Sequence, residues 1–110
     1  MDVNSVNDLY KEIETILLLD EDIEFCCKLL LKLTFNLDSE CWIQEICLRI
    51  ILSDRDENLC GLAITCLGHL ARIHKTINKD KVIPLLNLLK SENKYLSKID
   101  DAIDDINDFT

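Results

Sequence analysis

The sequence predicts an all-α fold, a short stack of helical hairpins, and three observations predict it. Twenty leucines and 14 isoleucines stand against three valines, a usage that favours helices over sheets. Two glycines and one proline in 110 residues leave little turn chemistry for paired strands. Finally, the corners Asp20-Glu21-Asp22, Asp54-Arg55-Asp56 and Ser91-Glu92-Asn93 each follow a Leu-rich stretch, 34 and then 37 residues apart, the interval of a helical repeat.

Taken in order, the first helix runs from about Ser5 to Leu19. Ser5-Val6-Asn7-Asp8 offers a capping-box-like start, and Val6, Leu9, Tyr10, Ile13, Ile16 and Leu17 recur at three- and four-residue spacing. A second helix spans about Asp22 to Leu33 through Ile23, Cys26, Cys27 and Leu30, ending before Asn36. Ser39 caps a third, whose Trp42, Ile43, Ile46, Cys47, Ile50 and Ile51 make a wide apolar face. The fourth starts at Asp56 and carries Leu59, Leu62, Ala63, Cys66, Leu67, Leu70 and Ile73, with Gly61 and Gly68 inside it. Gly costs about 1 kcal/mol against Ala in a helix, so two of them call for a closely packed neighbour. A fifth begins near Asn78 or Asp80, with Pro84 in or just after its first turn. The sixth covers about Asn93 to Asp108. Connections of two to five residues make these elements successive antiparallel hairpins. Leu52, Asp56 and Leu59 align with Leu89, Asn93 and Leu96 at one offset, whereas Ala63 meets Ala102 only with two extra residues.

One domain of this size has one core. A chain that is 48% hydrophobic and 30% charged is too apolar for a disordered acidic tail. Its formal charge of −9 opposes direct nucleic-acid binding, which depends on Lys and Arg displacing counterions. Six cysteines, Cys26, Cys27, Cys41, Cys47, Cys60 and Cys66, lie in helix-periodic stretches and read as core residues in a reducing compartment. Met1 to Ser5 lacks a basic n-region, and the apolar run Ile16 to Leu19 is short, so the expectation is a cytoplasmic, membrane-free chain.

The stretch Asp56-Glu57-Asn58-Leu59-Cys60-Gly61-Leu62-Ala63-Ile64-Thr65-Cys66-Leu67-Gly68 resembles the second helix of a HEAT-type repeat, with Cys60 where that pattern often has Arg. With His69-Leu70-Ala71-Arg72-Ile73-His74 and Asp100-Asp101-Ala102-Ile103-Asp104-Asp105-Ile106, it is similar to small bacterial HEAT-like proteins. Some of these are immunity proteins of contact-dependent growth inhibition and related toxin systems. The resemblance implies a short right-handed solenoid of about three HEAT-like hairpins. It also implies a cytoplasmic immunity protein that occludes the active site of a cognate toxin, a basic nuclease or tRNase domain. The alternative is a HEAT-like protein–protein adaptor or scaffold without a toxin partner.

Charge supplies the expected contacts. Residues 1–24 hold eight acids and one base, residues 99–110 five acids and no base, and the middle is net +3. On a helical wheel Asp100, Asp101, Asp104, Asp105 and Asp108 fall within an arc of about 140°, opposite Ile99, Ala102, Ile103, Ile106 and Phe109. Such a strip serves either as a solvated outer face or as a surface that steers a basic protein. Asp20, Glu21 and Asp22 are the second group of expected contacts. Trp42 is read either as core packing or as an interface anchor. No cofactor is called for. Carboxylates on one helix form no closed metal cage, and Cys66 with His69 gives two ligands where zinc needs four. As a nucleophile and base, that pair lacks an orienting acid. His74 is expected near the last carbonyls of its helix, while Arg49, Arg55 and Arg72 face solvent or bridge neighbouring repeats.

Overall fold

The computed structural model describes residues 3–110, and every regular element among them is a helix: α1 (Val3–Leu19), α2 (Ile23–Asn36), α3 (Glu40–Leu52), α4 (Glu57–His74), α5 (Lys79–Ser91) and α6 (Leu96–Phe109). They pair as three hairpins in two layers. In one layer α4 packs between α2 and α6; in the other α1 packs on α3, and α5 is tied to α3 through Lys81–Glu45 (3.0 Å) and the Asn78 N–H donated to Gln44 (2.8 Å). The thinnest dimension, 20 Å, accommodates two helices of about 10 Å each.

Each start has a local cause. Asp22, Asp56 and Asn78 cap α2, α4 and α5, their side chains accepting from the backbone N–H of Phe25, Asn58 and Lys81, which satisfies donors that a helix start leaves free. Ser39 holds the cap position of α3 but makes no capping bond; its hydroxyl instead meets Tyr10 Oη at 3.5 Å. Helix α1 begins at Val3, two residues before Ser5. The expected Ser5 cap falls inside the helix, and that side chain lies outside the described residues. Helix α2 runs on to Asn36, whose side-chain amide donates to Lys32 O (2.9 Å) in the last turn.

The repeat is visible as a repeated bond. Cys26 Sγ donates to Ile16 O (3.4 Å), and 34 residues on Cys60 Sγ donates to Ile50 O (3.5 Å), so a thiol at the equivalent position closes each of the first two hairpins. The third departs from this register. Asn93 and Tyr95 both take left-handed backbone conformations (φ 59° and 54°), and Tyr95, not Asn93, precedes the first turn of α6. The two extra residues sit in this corner, so Asp56 corresponds to Tyr95 and Cys60 to Ile99, and Leu59 does not correspond to Leu96.

Helix α4 has neighbours on three sides, and ten of its residues are buried, from Leu59 to Ala71. Burying each large apolar side chain contributes about 1.5–3 kcal/mol. The close neighbour that the glycines call for is α6: a Cβ on Gly68 would lie 3.1 Å from Ala102 Cα.

Arg55 stitches the hairpins together, its guanidinium donating to Leu17 O and Asp20 O at the end of α1. These are carbonyls that the helix itself cannot satisfy. Replacing Arg55 with Ala should cost about 2 kcal/mol, the range for charge-assisted bonds whose partners are left unpaired. Urea denaturation with an unchanged slope and a lowered midpoint is the expected result.

Candidate functional site

Helix α6 presents a row of free charge. Ile99, Ala102 and Ile106 are buried and turn Asp101, Asp104 and Asp108 to solvent. The other two acids of the expected strip are engaged. Asp100 accepts from Lys90 Nζ of α5 at 2.8 Å. Asp105 is half-buried beside α4, with Oδ2 3.1 Å from where a Gly68 Cβ would stand. The wheel places all five on one arc, but α5 and α4 reach up on either side and take its two edges. What remains is a row of three carboxylates with no ion pair among the described residues.

Asp20, Glu21 and Asp22 are exposed, and two of them also hold the first corner: Asp20 Oδ1 accepts from Asp22 N (2.8 Å), and Asp22 Oδ1 accepts from Phe25 N (3.1 Å). The second corner stacks on the first through Arg55, adding Asp54, Asp56 and Glu57 to the same edge. Sequence reasoning missed those three acids, although superposing the corners at the 34-residue interval would have found them. Tyr95, at the start of α6, has its hydroxyl held above its ordinary pKa first by burial and the neighbouring Cys60 thiol, and then by the charges of Glu57 and Asp54. The acidic corner edge thus leads onto the α6 face. Between α2, α4 and α6 lies a shallow cleft of about 490 Å³ bordered by Leu31, Asn58, Leu62, Thr65, Tyr95 and Lys98.

Trp42 sits elsewhere, half-buried at the seam of α1 and α3. Its Nε1 donates to Glu14 Oε1 at 2.6 Å, its ring lies 4.6 Å from that of Tyr10, and Arg49 takes the second Glu14 oxygen at 3.1 Å. The Trp42 bond is the main reason that the Glu14 carboxyl titrates below its ordinary value; burial opposes the shift and Arg49 reinforces it. The indole N–H is therefore spent within the chain, and the ring clamps two helices.

Cys66 and His69 face different surroundings. Cys66 is fully buried, and burial pushes its thiol up to about 11, so it stays protonated at neutral pH, the opposite of an activated nucleophile. His69 lies half-exposed against the Phe35 ring (4.9 Å), and its Nδ1 meets Arg72 Nη2 at 2.6 Å. Among the described residues no three His, Cys, Asp or Glu side chains gather as a metal site. Nor does His74 reach a partner among them; its Nε2 is buried without a hydrogen bond.

Burial and the Arg72 charge hold His69 below its ordinary 6.5, against the pull of Asp105. A base harder to protonate when folded favours the unfolded chain once acid is added, so its effect on stability is absent well above pH 6.5 and grows as pH falls toward the folded value. His69→Gln should flatten the loss of stability between about pH 7 and 5, measured by thermal unfolding across that range.

No helix of the described residues is long and apolar enough to cross a membrane. The chain matches no family model, no curated protein and no solved structure.

Proposed function

We propose that this chain is a cytoplasmic immunity protein, a helical stack whose acidic α6 face and corner edge capture a basic toxin domain and cover the surface that binds its substrate. The observation that carries this reading is the row Asp101, Asp104 and Asp108, three carboxylates left free where a neighbouring Lys would have been stabilising. They span about 10 Å of helix axis at 1.5 Å per residue. Their mean spacing of about 5 Å is wider than the roughly 3.4 Å between charges on one nucleic-acid strand, but such a row of like charge still competes for the lysines and arginines that a nuclease uses to hold phosphates. The stack needs no covalent step: it steers the partner in, docks and excludes substrate. Six free cysteines accord with a reducing compartment.

Affinity capture with the chain as bait, followed by mass spectrometry and an activity assay of the retained protein, tests this. One stoichiometric cationic enzyme, inhibited at equimolar chain, is the expected result. A non-enzymatic partner retained with equal strength would favour the adaptor reading, and an acidic partner would exclude both roles for the carboxylate row.

A further inference from the structure

Docking on the α6 carboxylates, the proposed function on which this inference rests, brings a partner over α4 and α2 as well. Cys26 and Cys60 fix the register between α2 and α4 at 34 residues, and Cys60 and Ile99 fix that between α4 and α6 at 39. Asp101, Asp104 and Asp108 are then the counterparts of Leu62, Thr65 and His69 on α4, and of Lys28, Leu31 and Phe35 on α2. Two contacts bear the register out: the Phe35 and His69 rings lie 4.9 Å apart, and Leu31, Leu62 and Thr65 border one cleft. None of the nine side chains is fully buried, so they form three parallel columns on one face of the α4 layer, spaced by about 8–10 Å from helix to helix. Charge fades across that face. Three free carboxylates stand on α6; the α4 column is neutral at pH 7, with His69 held below its ordinary pKa; on α2 the Lys28 ammonium is taken by Glu24 at 3.0 Å.

We infer that the cleft between α2, α4 and α6, with Phe35 one turn beyond Leu31, anchors the captured domain by taking an apolar side chain that projects from its basic surface. The lining argues for that occupant. Leu31, Leu62 and Cys27 give the cleft apolar walls from α2 and α4. The α6 wall is aliphatic too, because the missing side chain of Gly61 lets the Lys98 stem lie across α4: a Cβ there would stand 2.8 Å from Lys98 Cε and 3.0 Å from Cδ. Glu57 and Lys98 border the cleft with one charge of each sign, so neither a cation nor an anion gains by entering, whereas an uncharged group buries apolar surface. Phe35, 52% exposed, extends that surface. Exposed ion pairs such as those on α6 speed arrival and add little hold; residence depends on a desolvated apolar centre that a polar rim keeps dry. The partner fitted by this face is therefore basic opposite α6 and carries an apolar knob about one helix spacing away.

Binding kinetics with the cationic protein retained by affinity capture test the anchor. Leu62→Ser and Phe35→Ser are each expected to raise the dissociation rate at least about tenfold, with the association rate and its salt dependence within about twofold of wild type. Circular dichroism checks that both variants are folded, and Phe35 is exposed enough to be replaced safely. The unmodified chain gives a second readout. Cys27 lines the cleft and is partly exposed, while Cys41 is exposed on α3 in the other layer; saturation with the partner should slow iodoacetamide alkylation of Cys27 and leave that of Cys41 unchanged. Unaltered dissociation in both variants, or equal alkylation of Cys27 with and without partner, overturns the anchor and leaves capture by α6 standing. Retention of no cationic protein removes both.

Discussion

Gly68→Val should lower the free energy of unfolding by about 2–3 kcal/mol, the cost of forcing extra methyls into a packed contact. A Cβ at this position would lie 3.1 Å from Ala102 Cα and 3.1 Å from Asp105 Oδ2. The first of these is backbone, so relief requires α6 to move off α4, and with it Ile99 and Ile106 would lose burial. Gly61 is the internal control. Its nearest would-be neighbour is Lys98 Cε at 2.8 Å, the far end of a flexible chain that swings into solvent. Gly61→Ala should therefore be neutral or stabilising by up to about 1 kcal/mol, the helix-propensity gain. Chemical denaturation of both variants checks the contrast. Equal destabilisation would mean that the α4–α6 contact is not the tight one.

The triple reversal Asp101→Lys/Asp104→Lys/Asp108→Lys should slow association with the captured partner by about 10²-fold at low salt, within the range that electrostatic steering supplies. It should also flatten the dependence of the rate on ionic strength, because screening acts on a field that the variant no longer has. All three side chains are exposed, so the fold should be untouched; reversal at Asp100 should have a smaller effect on the rate, since Lys90 already offsets that charge. Stopped-flow or surface-based kinetics at several salt concentrations separates these outcomes. An unchanged rate removes the row from the interface.

Most of the architecture was legible in periodicity and caps. Asp22, Asp56 and Asn78 mark three helix starts because a short polar side chain there satisfies free N–H groups. The α5–α6 corner was not legible for the same reason: Asn is both a good cap and a residue that tolerates left-handed backbone, and Asn93 takes the second role while Tyr95, with no composition signal at all, takes the cap position. The wheel shows the α6 strip as a face, but it counts angles and not the reach of Lys90 to Asp100 or the absence of a side chain at Gly68 beside Asp105. Trp42 had two readings, and only Glu14, 28 residues away, decides what its N–H does. The acids Asp54, Asp56 and Glu57 lie one 34-residue interval beyond the first corner, a signal the repeat already carried; what no motif advertises is that Arg55 holds the two corners together through backbone carbonyls.

Amide hydrogen exchange of the chain, free and saturated with its partner, tests the central claim most directly. The account predicts new protection along α6 and in the Asp54–Glu57 corner, with α1, α3 and α5 exchanging as before. Protection confined to α1, α3 and α5, with α6 unchanged, would contradict it.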